Sequence, residues 1–256
     1  MSNLEIELVP CLKDNYAYLL RDPASGSVGI VDPSEAAPVI AALDRHGWQL
    51  THILNTHHHW DHTGGNPELK ARSRATVVGP APDRDRIPAI DVGVDEGQLF
   101  RLGEAEAKIL FIPGHTRGHI AFWFPESQAV FCGDTLFAMG CGRMFEGTAQ
   151  QMWSSLGKLR ALPGETRVYC GHEYTQANAR FALTVDARNA ALKARAAEVD
   201  KTRARGAPTI PSTIADERAT NPFFRADEPG VAKGVGLAGA DPITVFAEVR
   251  KRKDSF

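Results

Sequence analysis

Residues 56–62 read Thr56-His57-His58-His59-Trp60-Asp61-His62, four imidazoles and a carboxylate in a stretch too short to bury them separately. On extended backbone, side chains alternate from face to face, so His57 and His59 project to one side and suit two ligands on one ion. Asp61 and His62 lie past that pair and reach toward a neighbouring ion once the chain turns. Neutral imidazole and carboxylate bind zinc, iron or manganese, and no thiolate stands nearby to single out zinc. An adventitious histidine-rich tract would lack the interleaved aspartate and the punctuation on both sides, Ile53-Leu54 before and Gly64-Gly65-Asn66-Pro67 after.

Three later segments repeat one design, a strand-like run ending in a glycine turn with a ligand-type side chain at its tip. They are Phe111-Ile112-Pro113-Gly114-His115, Val130-Phe131-Cys132-Gly133-Asp134 and Val168-Tyr169-Cys170-Gly171-His172. Each is weak alone, since aspartate after glycine is mostly a turn residue. Together they bring His115, Asp134 and His172 to the ends of strands, where a site on a sheet edge draws its side chains.

The elements that must position these groups follow from periodicity. Strands are expected at Leu4–Val9, Tyr16–Leu20, Val28–Val31, Ile53–Leu54, Thr76–Val78, Gln98–Leu102, Lys108–Ile112, Ile120–Phe124, Ala129–Cys132 and Val168–Cys170. Ser34 is read as the cap of a helix stopped by Gly47, Asn66 as the cap of another, and Thr148 as the start of a third. After residue 172 the composition turns rich in Ala, Arg and Lys and the strand signal fades. Helices are expected from Tyr174 to Arg205, with Asp186 capping a second one and Gly206 ending it, then near Ala215–Arg218, and finally from Asp241-Pro242.

The sequence has 256 residues, 43% of them hydrophobic, enough for a sizeable core, and a net charge of -2. That balance argues against nucleic-acid binding through bulk charge. No apolar run approaches the ~18 residues of a membrane helix, and the amino terminus has no signal-peptide pattern, so no membrane partner and a cytoplasmic location are expected. The four cysteines, Cys11, Cys132, Cys141 and Cys170, form no C-x-x-C pair, which favours reduced core thiols.

The sequence resembles glyoxalase II, the hydroxyacylglutathione hydrolases of the metallo-β-lactamase superfamily. The carriers are the histidine motif, Gly114-His115-Thr116-Arg117-Gly118-His119, Gly133-Asp134-Thr135-Leu136-Phe137, Gly140-Cys141-Gly142-Arg143, Gly171-His172-Glu173-Tyr174-Thr175 and Asn221-Pro222-Phe223. The resemblance implies an α/β fold of αββα sandwich type over residues 1–172, followed by a smaller all-helical substrate-binding domain at 173–256. It implies two divalent ions, zinc foremost with iron or manganese as alternatives. The first would rest on His57, His59 and His115, the second on Asp61, His62 and His172, with Asp134 bridging and Asp61 and Asp134 as the catalytic carboxylates. The implied reaction is hydrolysis of S-(2-hydroxyacyl)glutathione, chiefly S-D-lactoylglutathione, to D-lactate and glutathione, the second step of methylglyoxal detoxification. Two cations sharing a water lower its pKa toward ~7, so a bridging hydroxide can attack without a serine or cysteine nucleophile.

For the substrate, the resemblance implies contacts from Arg143, Tyr174, Arg250 and Lys253, and a monomer is expected. By residue type alone, Arg250-Lys251-Arg252-Lys253 also reads as a solvated helix end favoured by the macrodipole. The family often has a tyrosine two residues after the basic residue of the glycine turn. Phe145 stands there, which removes a hydroxyl contact on the scale of ~0.5–1.5 kcal/mol. His58 and His119 are expected to support the ligands rather than bind metal. The competing readings are persulfide oxygenation at a single iron, lactone hydrolysis, and a non-catalytic module with structural metal.

Overall fold

Strands covered on both faces cannot alternate apolar with polar residues, and the central strands here do not: Asn15–Arg21 and Val28–Val31 are buried along nearly their whole length. The structure, a computed structural model describing residues 3–256, divides into one unit made of residues up to Phe111 with Arg117–Gly133, and a second made of Ile112–Thr116 with Asp134–Phe256.

In chain order the first unit runs β1 (Glu5–Cys11), β2 (Asn15–Arg21), β3 (Val28–Val31), α1 (Ala36–His46), β4 (His52–Leu54), α2 (Trp60–Thr63), α3 (Asn66–Ser73), β5 (Thr76–Pro80), β6 (Val92–Val94), β7 (Leu99–Leu102), β8 (Ala105–Phe111), β9 (Ile120–Phe124) and β10 (Ala129–Gly133). Strands β1 to β6 form a sheet in sequence order, antiparallel through β3 and parallel from β3 to β6. Strands β7 to β10 make an antiparallel meander. The two sheets meet face to face where Tyr18 lies 5.6 Å from Phe131 and His52 5.6 Å from Phe100, ring to ring. On the outer face of the first sheet, Val39 and Leu43 of α1 and Leu69 of α3 cluster with Leu19, Ile30, Ile53 and Val77. The parallel half is what aims the β4–α2 loop, since parallel strands deliver their carboxyl ends to one edge.

Two helix starts differ from expectation. Ser34 does not cap α1, whose N-cap is Glu35 without a side-chain bond. The Ser34 carbonyl instead lies against Gly64, where a Cβ would come within 2.5 Å of it. Asn66 does not cap α3 either: its amide donates to Asn55 Oδ1 at 2.7 Å and to the Pro88 carbonyl, and Gly65 takes the N-cap position. Both residues are drawn into tertiary contacts at the histidine loop.

The second unit contains β11 (Leu136–Phe137), β12 (Gly140–Cys141), α4 (Ala149–Arg160), β13 (Arg167–Cys170), α5 (Thr175–Val185), α6 (Ala190–Ala204), β14 (Ser212–Thr213), α7 (Ile214–Thr220), α8 (Pro229–Gly234) and α9 (Pro242–Asp254). Thr148 and Gln151 close a reciprocal capping box on α4, and Asp241 caps α9. Asp186 ends α5 and does not cap α6; Asn189 does, accepting from the Leu192 amide at 3.0 Å. The Asp186 carboxylate is held by Arg225 at 3.3 Å. The Asn221-Pro222-Phe223 motif serves the hairpin: Asn221 Nδ2 donates to the carbonyls of Phe137 and Gly140. Buried Glu217 accepts from that amide, from the Met139 amide and from Arg195. Among the described residues no helix is long and apolar enough to cross a membrane.

Candidate active site

In the first unit the histidine motif leaves β4 at Leu54 and enters α2 at Trp60. Rings of His57 and His59 lie 4.7 Å apart and those of His57 and His62 4.2 Å apart; His57 and His62 are buried, His59 and Asp61 half-buried. The His62 Nε2 stands 3.8 Å from Asp61 Oδ2. Asp61 is steadied by Asn15, whose amide donates to its carbonyl at 3.0 Å and its carboxylate at 3.2 Å.

Behind these groups sits Asp32, at the end of β3 with a left-handed backbone, φ 48°. It accepts from the Thr56 amide at 2.8 Å, the Thr56 hydroxyl at 2.6 Å and His62 Nδ1 at 3.2 Å. The Thr56 hydroxyl in turn accepts from His57 Nδ1 at 3.0 Å. Each Nδ1 is thereby assigned as the protonated nitrogen, which leaves the buried Nε2 as the lone pair that could bind a metal. Asp32, His57 and His62 offer atoms all within 4.8 Å of one another. The Asp32 carboxylate already takes three donors, so it orients the two imidazoles rather than competing as a ligand.

His58 and His119 are placed in support. His58 Nδ1 donates to buried Asp83 at 3.0 Å, and Arg86 pairs with the same carboxylate at 3.2 Å. His119 stacks on His57 at 4.5 Å and 16°, with its Nδ1 donating to the Ile120 carbonyl. Gly133, at φ +47°, must lack a Cβ because one would fall 2.2 Å from Thr56 Oγ1 and 2.9 Å from the His119 ring.

In the second unit His115, Asp134 and His172 converge. Asp134 Oδ2 lies 3.6 Å from His115 Nε2 and 3.3 Å from His172 Nε2. His115 Nδ1 donates to the Arg143 carbonyl at 2.8 Å, leaving Nε2 toward Asp134. His172 stacks on Tyr174 at 4.6 Å and 5°, and Phe137 meets both rings edge-on. At Gly142 a Cβ would fall 1.9 Å from the Asp134 carbonyl oxygen, so the turn after β12 admits only glycine.

His115 and Asp134 line one wall of a cavity of about 500 Å³ whose other walls carry Arg143, Tyr174, Arg250 and Lys253. Arg143 is well exposed, whereas the Arg250 side chain is only 4% exposed. Arg250 Nη1 donates to the Cys141 carbonyl at 2.7 Å and its guanidinium lies over Phe223 at 5.2 Å. The helix-end reading therefore holds for exposed Lys251 and Arg252 but not for Arg250. Burial, with Arg250 and Arg143 nearby, lowers the Lys253 ammonium pKa to about 8. Cys141 also lines the cavity, and burial pushes its thiol up to about 11. Phe145 stands at the rim, 63% exposed, its ring edge-on to His115 at 5.3 Å.

The donors in both units are imidazole nitrogens and carboxylate oxygens, several with the second ring nitrogen already committed. That chemistry fits a borderline divalent cation such as zinc, iron or manganese, and not a thiolate-rich structural site. Asp32, Asp83 and Asn15 lay outside the residues singled out from sequence. Asp32 and Asn15 sit 24 and 46 residues from their partners in the motif, where local spacing carries no signal.

Residues 13–172 match the model of the metallo-β-lactamase superfamily, and residues 173–256 match that of the hydroxyacylglutathione hydrolase C-terminus. A hydroxyacylglutathione hydrolase from Methylococcus capsulatus is 58% identical over 253 residues, 99% of this chain and 99% of that protein. Among solved structures, ETHE1 from Myxococcus xanthus is similar with a TM-score of 0.67 at 26% identity, over 98% of this chain and 99% of that one. The protein TTHA1623 in a di-iron-bound form is similar with a TM-score of 0.63 at 25% identity, over 84% of this chain and 98% of that one.

Proposed function

Because this chain belongs to the hydroxyacylglutathione hydrolases, thioester hydrolases with the metallo-β-lactamase fold, we propose that it cleaves S-(2-hydroxyacyl)glutathione, foremost S-D-lactoylglutathione, to D-lactate and glutathione. The observation that supports this substrate is the cavity that joins His115 and Asp134 to Arg143, Arg250 and Lys253. Nitrogen and oxygen donors stand on one wall, and cations for an anionic thiol stand on another.

In this reading His57, His59 and His115 would hold one divalent ion, and Asp61, His62 and His172 a second, with Asp134 serving both. The diiron-bound relative supports a count of two. Bound there, the ions supply a Lewis acid for the thioester carbonyl and a water acidic enough to attack near neutral pH. Arg143, Arg250 and Lys253 attract the glutathionyl carboxylates, and the half-exposed Tyr174 ring walls the thiol. Asp61 and Asp134 are the catalytic carboxylates by virtue of holding the ions, and Asp32 with Thr56 keeps His57 and His62 in register. Residues 1–172 act as the catalytic domain and 173–256 as the substrate-binding one.

The test is elemental analysis of the purified protein beside a thioester assay. About two metal ions per chain and cleavage of S-D-lactoylglutathione are expected. One ion per chain, or hydrolysis of other esters without that thioester, would overturn the reading.

A further inference from the structure

Asp254, the last residue of α9, is a carboxylate on a wall otherwise built to attract anions. Its Oδ1 lies 3.0 Å from Arg250 Nη2 and 3.8 Å from Arg143 Nε, and its side chain is 47% exposed. An i,i+4 ion pair of this kind is ordinarily a solvated surface feature that contributes little to stability. Here one partner is a buried guanidinium already fixed by the Cys141 carbonyl and Phe223, and Asp254 lines the cavity with its side chain half-exposed. Two cations, Arg143 and Arg250, thus flank this carboxylate, and a third, Lys253, lines the same cavity. An occupant carrying only negative charge would be better served without it.

A glutathione thioester is not such an occupant. It carries two carboxylates and, on the γ-glutamyl residue, one ammonium. We propose that Asp254 is a specificity-determining residue that accepts this ammonium, so that the cavity recognises the zwitterionic amino-acid head of the thiol and not merely its negative charge. This deepens the functional reading above and rests on it. An ammonium paired with a carboxylate within the cavity is a charge-assisted contact, and a site built for a polar group discriminates strongly against an analogue lacking it.

The experiment compares S-D-lactoylglutathione with its des-amino analogue, in which glutaryl replaces γ-glutamyl, on the metal-loaded wild type and on Asp254→Asn. The wild type is expected to lose about tenfold in kcat/KM on the des-amino substrate, chiefly through KM. Asp254→Asn should lose a similar factor on the parent thioester and discriminate between the two by less than twofold. Equal discrimination in both proteins would overturn the proposal. So would a lower KM for the parent in the variant, which would make Asp254 a competitor of the substrate carboxylates. A wild type that cleaves neither thioester would instead defeat the functional reading, so the two failures are distinguishable.

Discussion

At the residue scale, the site is governed by groups that bind nothing themselves. Asp32 gathers the Thr56 amide, the Thr56 hydroxyl and His62 into one carboxylate, and through Thr56 reaches His57. Removing a group of this kind typically costs 10–100-fold in metal affinity, so Asp32→Asn is expected to lower bound metal by about that factor, measured by chelator competition. Retained affinity would show that the loop holds the rings without it. Lys253 supplies a pH dependence. Its folded pKa, about 8, lies below its ordinary value of 10.5, so it is charged below pH 8 and loses that charge as pH rises through 8. The charges that act on it are those of Arg250 and Arg143, and Asp254 lines the same cavity. KM for the anionic thioester should therefore climb between pH 7 and 9 in the wild type. In Lys253→Arg, which stays charged throughout, the climb should be reduced to that of the substrate's own amine. In folding, the sign is that the unfolded chain binds the extra proton between pH 8 and 10.5, so relief of this burial cost adds stability as pH rises across that window.

At the element scale, much of the fold was legible because local signals agree with one another. The Thr148 capping box, the Asp241 cap and the αL residue Gly47 all mark helix ends where the sequence places them. Thr148→Ala is expected to cost about 1 kcal/mol and lower Tm by a few degrees in calorimetry. The illegible ends share a dependence on distant partners: the Ser34 carbonyl is packed against Gly64, the Asn66 amide bonds to Asn55, and the Asp186 carboxylate pairs with Arg225. Strands β11, β12 and β14, two residues each, and β6, of three, are too short for any period to show. The proposed ligands His115, Asp134 and His172 stood out in sequence because glycine turns announce them, and the same tight turns make them fragile. Gly142→Ala sets a methyl group against the Asp134 carbonyl and is expected to cut metal content and kcat at least tenfold, read together by elemental analysis and assay. Normal metal content with normal turnover would mean the turn yields without moving Asp134.

At the scale of the whole molecule, all four thiols are withdrawn from chemistry. Cys11, Cys132, Cys141 and Cys170 are buried, and burial holds the Cys11 and Cys141 thiols near 11 and Cys170 higher still. Native protein is therefore expected to react slowly with a disulfide reagent such as DTNB, and to release four equivalents only on unfolding. A fast native equivalent would point to an opening at Cys141, the one of the four that lines the cavity.

The passage Ile112–Thr116 belongs with residues 134–256, while the chain on either side of it belongs with the other unit. The polypeptide thus crosses from one unit to the other at three places rather than one. A chimera assembled with a single junction, however carefully chosen, would take the β8–β9 turn and its His115 from one parent and the Arg143 carbonyl that anchors that imidazole from another whenever the joint fell between them. Exchange with a relative keeps this pairing intact only if residues 112–116 travel with 134–256, as two separate grafts from the same donor.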